Sequence, residues 1–587
     1  MKVRLIAILL AMLNLATPLF SNVDIPDSFA ELPVLYNGRY RPAEAAARLW
    51  LAEFSGKQSL PDESALSLAW RVHVLGHEAA DTIPLFTLQS GKLKTDLGLD
   101  TKRHLFSFEE LKHVLEVKSD HSSELLDLQA KLETWQKLGS TLPQLTKLQT
   151  QAVEQMQARG LEPAQIQRNL QQQLPVQSLL KETGQLFLLL PIRTDSADWV
   201  SPAAFLLPTY NVQKNRLEPV SNFTPYSSEQ FKSLKDRYLS ARDATTRGQG
   251  VGTHLAQFAQ EANHAIHSLS NPLSDLPSIN QLRAERWYYQ WHPCLWLLGL
   301  YALSALFFVL HRKTALYLLL VTFLGHTALL ALRSYILGRP PVSNMFETVV
   351  YVPWIGVLSA LLLSLKQGHI SSILLGSASL LTVFLLALVE TTQLQSGMEP
   401  LQPVLDSQYW LIIHVLMVVA SYGVFLLAGV LGHVYLAKAA WNQPAQRDGP
   451  PLGQSILHCL YLGTGLLIPG TILGGVWAAQ SWGRFWDWDP KESWAFISSC
   501  VYLIIIHAHT FRHIQSKGLA VGSIIGLWAI SFTWYGVNYV LGTGLHSYGF
   551  GSGGTVYYFG FLFADAMFLL IALFFIHYQK TEKFAKN

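Results

Sequence analysis

The spacing of apolar positions along the chain changes once, near residue 291. Before that point apolar residues recur at three- and four-residue steps. Leu125, Leu128, Leu132 and Trp135, then Leu145, Leu148, Ala152 and Met156, form such series, which predict amphipathic helices interrupted at Gly139, Pro143, Gly160 and Pro163. A five-residue apolar run over 186–190 stops at Pro191 and predicts a short strand or buried segment. Beyond residue 291 the apolar positions merge into runs at 294–310, 315–337, 349–365, 370–389, 410–437, 455–478, 493–509, 519–541 and 556–576. Each approaches the ~20 residues that carry a helix across a bilayer. The expected fold is an all-α polytopic membrane protein of about nine transmembrane helices over 291–587, preceded by a mainly helical extracytoplasmic soluble domain over 22–290.

Charge refines this picture. Residues 1–21 open with Lys2 and Arg4, continue through an apolar stretch and reach Pro18 and Ser21, the layout of a signal peptide or an uncleaved N-terminal anchor. Either one exports the domain that follows. In the membrane half, Arg312 with Lys313, Lys366, Lys438 with Arg447, Arg512 with Lys517, and the Lys580, Lys583, Lys586 tail fall on alternate connectors. Those connectors are expected on the cytoplasmic side and the others, over 339–347, 390–408, 480–492 and 542–554, on the outer side with the soluble domain.

Composition agrees, with 50% hydrophobic and 14% charged residues. A formal charge of +3 without an Arg/Lys stripe excludes a nucleic-acid binder, and three cysteines without a C-x-x-C pair give no dithiol site. The Gln-rich stretch over 149–173 reads as a helical spacer or a partner-binding face.

The candidate chemistry lies on the outer side. Residues 482–494 read W-G-R-F-W-D-W-D-P-K-E-S-W, four tryptophans and two aspartates in thirteen positions. An ordinary interfacial aromatic belt spreads over many helix ends, whereas these indoles crowd one loop, as if a flat apolar molecule lay on them. His414 sits four residues into the fifth run and His546 in the glycine-rich loop G-T-G-L-H-S-Y-G, one on each side of the Trp loop in sequence. Two imidazoles at one membrane face are able to ligate a haem iron axially while aromatic rings cover the porphyrin. His507 lies deeper, roughly 22 Å along a helix from Glu492, where an ionisable group is costly and reads as functional. His326 in the second run is the remaining candidate to pair with it, against a plain hydrogen bond to a neighbouring helix. Arg333 and Arg339 lie against the charge rule and suit either an anionic ligand or an ion pair with Glu347.

The stretch W-G-R-F-W-D-W-D-P-K-E-S-W-A-F resembles the signature of the WWD family of haem-handling membrane proteins, and in particular the cytochrome c assembly proteins of the CcsA type. R-S-Y-I-L-G-R-P-P-V-S-N-M-F-E-T at 333–348, Y-W-L-I-I-H-V at 409–415 and G-T-G-L-H-S-Y-G at 542–549 are similar to further family segments. The resemblance implies a bacterial inner-membrane protein that moves haem, bound non-covalently as b-type substrate in transit, to the outer face for thioether attachment to the C-x-x-C-H motif of an apocytochrome c. It implies His414 and His546 as axial ligands there, Trp482, Trp486, Trp488 and Asp489 as the platform, and His507 as ligand of haem in transit. His509 stands where the family carries Arg. The second transmembrane ligand would come from His326 or from a separate membrane partner of the ResB/CcsB type. The implied activity is that of a holocytochrome c synthase (haem lyase) subunit. A haem exporter and a scaffold without ligation activity are the alternatives.

Overall fold

The computed structural model describes residues 25–117, 123–138, 141–173, 208–219, 226–268, 276–368, 371–391, 407–441, 452–542 and 555–586, with 187, 190–191, 199–202, 205, 398 and 400–401 between them. The N-terminal segment 1–21 and His546 therefore lie outside the described residues. The chain divides into two units between Trp291 and His292.

The first unit opens on a hairpin, Pro33–Tyr36 paired antiparallel with Arg39–Pro42. Its two-residue turn, Asn37-Gly38, has positive φ at both positions, 50° and 73°, which is the primed turn that matches strand twist. The helices Ala43–Ser55 and Ala65–Leu75 follow, and the second begins at Ser64, whose side chain accepts from Ser67 N. Trp50, Phe54, Phe86 and Trp135 bury their rings together, with Trp50 stacked on Trp135 at 5.8 Å. The expected periodic residues Leu125, Leu128 and Leu132 all point into this core. Arg286, on the helix Ile279–Trp291, holds Asp27 at 2.6 Å and Glu44 at 2.6 Å and so fastens the end of the unit to its beginning.

The Gln-rich stretch forms two helices with an apolar side of their own. Thr141–Ala158 and Pro163–Gln173 bring Val153, Met156, Ile166 and Leu170 into a small core of their own, packed against Tyr210 and Leu217 of the hairpin Pro208–Asn211/Arg216–Pro219. The apolar run ending at Pro191 contributes a short strand, Leu190–Pro191, paired with Trp199–Val200. Its positions 186, 188 and 189 lie outside the described residues.

The second unit has nine helices long and apolar enough to cross a membrane among the described residues: Pro293–Leu310, Arg312–Leu337, Met345–Lys366, Ser372–Glu390, Gln408–Ala440, Leu452–Trp482, Pro490–Thr510, Ser516–Leu541 and Thr555–Gln579. The fold expected from the apolar runs is the fold found. The fifth span is central, packing on the third, sixth and eighth. Its close approach to the eighth depends on Gly432, where a Cβ would meet Ser523 Oγ and the Ala520 carbonyl. Two spans depart from α-helical winding at the same end of the bundle: Leu411–Val415 in the fifth and Phe532–Leu541 in the eighth are π-helical. Such segments add a residue per turn, redirect side chains and recur at functional sites.

His73 of the first unit is half-buried beside Trp70, Phe187 and Tyr238. Burial, reinforced by the nearby Arg242 charge, pushes its imidazole down to about 4 from 6.5. Below pH 6.5 the unfolded chain takes a proton that the folded one refuses, so stability is full above that pH and falls toward pH 4. Denaturant unfolding of the intact chain across this range should show a loss of about 2–3 kcal/mol from this group, and His73→Leu should flatten that part of the slope.

Candidate functional site

The third, fifth, sixth, seventh and eighth spans meet around a cavity of about 220 Å³ at the end of the bundle that carries the 482–489 loop. His414 enters it from the π-helical turn of the fifth span. Its Nδ1 lies 2.7 Å from the Gly470 carbonyl. A carbonyl only accepts, so Nδ1 carries the proton and the lone pair of the neutral ring resides on Nε2. Metal-ligating histidines are commonly oriented by such a bond to the other nitrogen. The ring lies on Gly474 of the sixth span, where a Cβ would come within 2.5 Å of its Cε1 and 3.0 Å of both nitrogens. Any side chain at 474 would displace the imidazole.

Indoles line this cavity from three directions. Trp477 meets the His414 ring edge-on at 5.9 Å and stacks on Trp410, 6.5 Å away, whose Nε1 donates to Gln480 Oε1 at 2.8 Å. Trp482 and Trp486 enter from the loop. Trp534 comes from the π-helical end of the eighth span, its Nε1 donating to Thr348 Oγ1 at 3.1 Å. At the polar pole Lys491 donates to Asn538 Oδ1 at 2.8 Å, and Asn538 in turn donates to the Trp534 carbonyl at 2.7 Å. The buried Nε1 of Trp486 has no acceptor among the described residues. Glu492 also reaches the wall, its Oε2 accepting from Asp487 N at 2.8 Å.

The loop is built to hold this shape. Asp489 is buried and caps the seventh span, accepting from Lys491 N at 2.8 Å ahead of Pro490 at the first helical position. Trp488 adopts φ 58° and is 69% exposed, with its carbonyl accepting from Ser493 Oγ at 3.0 Å. Trp486 packs edge-on against Trp488 at 5.9 Å. Trp482, Trp486 and His414 are thus brought together at the cavity. Trp488 stands outward from it, and Asp489 orders the loop.

The other expected residues lie elsewhere. Arg333 is fully buried against Glu347 at 3.1 Å and over the Phe346 ring, and Glu347 also takes Arg339 at 3.4 Å. Of the two readings open for Arg333, the ion pair is the one formed, and the residue is not part of the cavity wall. His326 is buried, with Nδ1 3.2 Å from Tyr301 Oη and Nε2 3.0 Å from the Val350 carbonyl. Its helix packs on the first and third spans, whereas the helix of His507 packs on the sixth and eighth. His326 thus makes the hydrogen bonds to neighbouring helices that were one of the two readings open to it. His507 faces outward on the seventh span, its Nδ1 donating to the Leu503 carbonyl at 2.7 Å, beside exposed Ile504 and Phe511. His509 lies near it, Nδ1 3.1 Å from the Ile514 carbonyl.

Comparison with known proteins agrees with this architecture. A family model described as cytochrome C assembly protein matches residues 342–546, which takes in every cavity element. The CcsA proteins of Amborella trichopoda and of Prochlorococcus marinus strain NATL2A are each 32% identical, over 270 and 269 residues, 39% and 40% of this chain and 85% and 84% of theirs. The chain belongs to the CcsA family of cytochrome c biogenesis proteins. NrfI of Wolinella succinogenes is 35% identical over 295 residues, 46% of this chain, and the match spans about a third (32%) of that protein. The matched segment 342–546 falls within the membrane unit. Trp477, Trp534, Asn538 and Gly474 escaped the sequence reading, because nothing in a string of apolar residues marks which face of a helix turns to a cavity.

The Arg333–Glu347–Arg339 cluster gives a test of what holds the third span. Removing one partner of a buried pair costs about 3–5 kcal/mol. Glu347→Met should destabilise the detergent-purified protein more than Arg333→Met, since it strands two guanidinium groups while the latter leaves Glu347 with Arg339. Thermal unfolding of the two variants and of R333M/E347M, which should recover much of the loss, checks this ordering.

Proposed function

We propose that this chain is the haem-presenting subunit of a holocytochrome c synthase. It would bind b-type haem non-covalently as a substrate in transit and hold it at the outer face of the bacterial inner membrane for attachment to the C-x-x-C-H motif of an apocytochrome c. The observation that carries this reading is His414, seated on a bare glycine with Nδ1 fixed by the Gly470 carbonyl inside an indole-lined cavity. That is the arrangement an axial imidazole ligand of a planar aromatic molecule requires.

The residues divide the work. His414 supplies one axial nitrogen, and His546, on the loop between the eighth and ninth spans, is proposed as the other. Trp482 and Trp486 cover the porphyrin, and exposed Trp488 extends the apolar surface toward the incoming cytochrome. At about 220 Å³ the cavity is smaller than the roughly 300–1,000 Å³ of pockets that enclose a whole ligand. Haem therefore enters by one edge, leaving its vinyl groups accessible. Each thioether forms when a cysteine S–H adds across a vinyl double bond, sulfur to one carbon and hydrogen to the other. The chain's contribution is position. Release follows when the cytochrome's own histidine replaces one of the two imidazoles.

Haem reaches this site from within the bilayer. His507 presents an ionisable side chain on an outward helix face with Ile504, 67% exposed, and Phe511, 68% exposed. Hydrocarbon is a costly neighbour for such a group. We infer that a separate membrane subunit of the ResB/CcsB type covers this face and supplies the second ligand of haem in transit, with the soluble unit on the outer side.

The test is expression of the full chain with a partner subunit and an apocytochrome c. The purified complex should show a bis-histidine ferrous haem spectrum and yield covalent haem on the cytochrome. His414→Ala should abolish the outer-site spectrum and attachment together, and Gly474→Val should weaken haem binding about 10–100-fold by displacing the same ring. Attachment at the wild-type rate in H414A would defeat the assignment, and external haem without any attachment would make the protein an exporter.

A further inference from the structure

An ionisable pair of the membrane unit lies away from the cavity. His433 of the fifth span and Asp565 of the ninth meet at 2.5 Å, Nε2 to Oδ1. Asp565 is buried, and Trp528 Nε1 of the eighth span donates to its second oxygen. The other ring nitrogen of His433 lies 2.8 Å from the Gly429 carbonyl, and Phe568 packs on the ring at 4.8 Å. Ionisable side chains inside a bilayer are costly and read as functional.

Counting protons fixes the state of the pair. The Gly429 carbonyl only accepts, so Nδ1 carries a proton. Nε2 and Oδ1 then need one more proton between them, since a lone pair set against a carboxylate would repel it. Whether nitrogen or oxygen holds that proton, the pair has no net charge. Both ring nitrogens are engaged, so His433 offers no lone pair to a metal. What the pair does is join helices: one carboxyl group ties the fifth span through His433 and the eighth through Trp528. Those two spans carry the π-helical segments of the cavity, Leu411–Val415 and Phe532–Leu541. One turn beyond Trp528, Ser531 Oγ meets Tyr558 Oη of the ninth span at 3.0 Å, and Tyr558 stacks on Tyr535 of the second π-helical segment at 5.3 Å. The ninth span thus backs the segment that brings Trp534 and Asn538 to the cavity. Two apolar side chains would join helices at lower cost, but they would not set the register of three spans by hydrogen bonds.

We propose that Asp565 is a positioning residue for the cavity. It holds the fifth and eighth spans in the relation that lets His414 and the Trp534 wall grip one planar ligand, and the proton shared with His433 lets it do so inside the bilayer. This rests on the reading of the cavity as a haem site and deepens it. Asn at 565 would imitate the protonated acid, its amide nitrogen donating to His433 Nε2 while its oxygen accepts from Trp528. Leu would remove both bonds and keep much of the volume.

Ferrous haem is titrated into the detergent-solubilised full chain and followed by absorption, and the thermal unfolding of each variant is measured without haem. Asp565→Asn should bind haem as the wild type does, with the same bis-histidine spectrum. Asp565→Leu should bind about tenfold more weakly, with a mixed spectrum in which part of the haem has lost one imidazole. Trp528→Phe keeps a ring and drops only the bond to the eighth span. It should fall between the two, and it carries the test where D565L does not fold. D565N binding as weakly as D565L overturns the assignment of Asp565 and leaves the haem site standing. So does a D565L or W528F that loses thermal stability alone and keeps wild-type affinity and spectrum. A wild type that gives no haem spectrum overturns both.

Discussion

The contact on which the membrane unit is arranged is the approach of the fifth span to the sixth at His414 and Gly474. An imidazole wedged between two helices needs both room and a fixed tautomer. The sixth span provides both within five residues: Gly474 removes the side chain that would occupy the ring's place, and the Gly470 carbonyl takes the Nδ1 proton. Neither glycine is there for backbone freedom, since both sit within a regular helix. Room is what they supply. The π-helical turn at Leu411–Val415 then turns His414 onto that surface.

The second π-helical segment, Phe532–Leu541, mirrors this on the far wall. It carries Trp534 and Asn538, and through Asn538 it reaches Lys491 at the start of the seventh span. The cavity is thus bounded by two irregular helix ends and one capped loop, with continuous helices behind them. Precision in such a site depends on the supporting contacts of its first layer. Trp534 is held by Thr348 on the same wall, Asp489 holds the backbone of Lys491, and Trp410, bonded to Gln480, backs Trp477.

How much of this could be read in advance follows from what each signal encodes. Hydropathy reports length and burial, so the nine spans found among the described residues were legible. Local crowding of indoles marked the 482–494 loop, and His414, Trp482 and Trp486 were legible with it. Arg333 could not be decided because one buried arginine serves a bound anion and an acidic neighbour equally well. His326 stayed open between a haem partner and a hydrogen bond to a neighbouring helix, because depth along a helix is readable from sequence and helix neighbourhood is not. Gly474, Trp477 and Trp534 sit in apolar runs where every position looks alike, and only tertiary packing distinguishes them. In the first unit the periodicity located the core helices, while the Gln-rich stretch hid its four apolar anchors, Val153, Met156, Ile166 and Leu170, among polar residues.

If His414 and His507 serve haem as proposed, their settings suit different tasks. A group fixed between helices, as His414 is, suits a ligand held while a reaction is completed, because its geometry survives the arrival and departure of substrate. A group on an outward face, as His507 is, suits transfer, because half of its coordination sphere lies open to another chain.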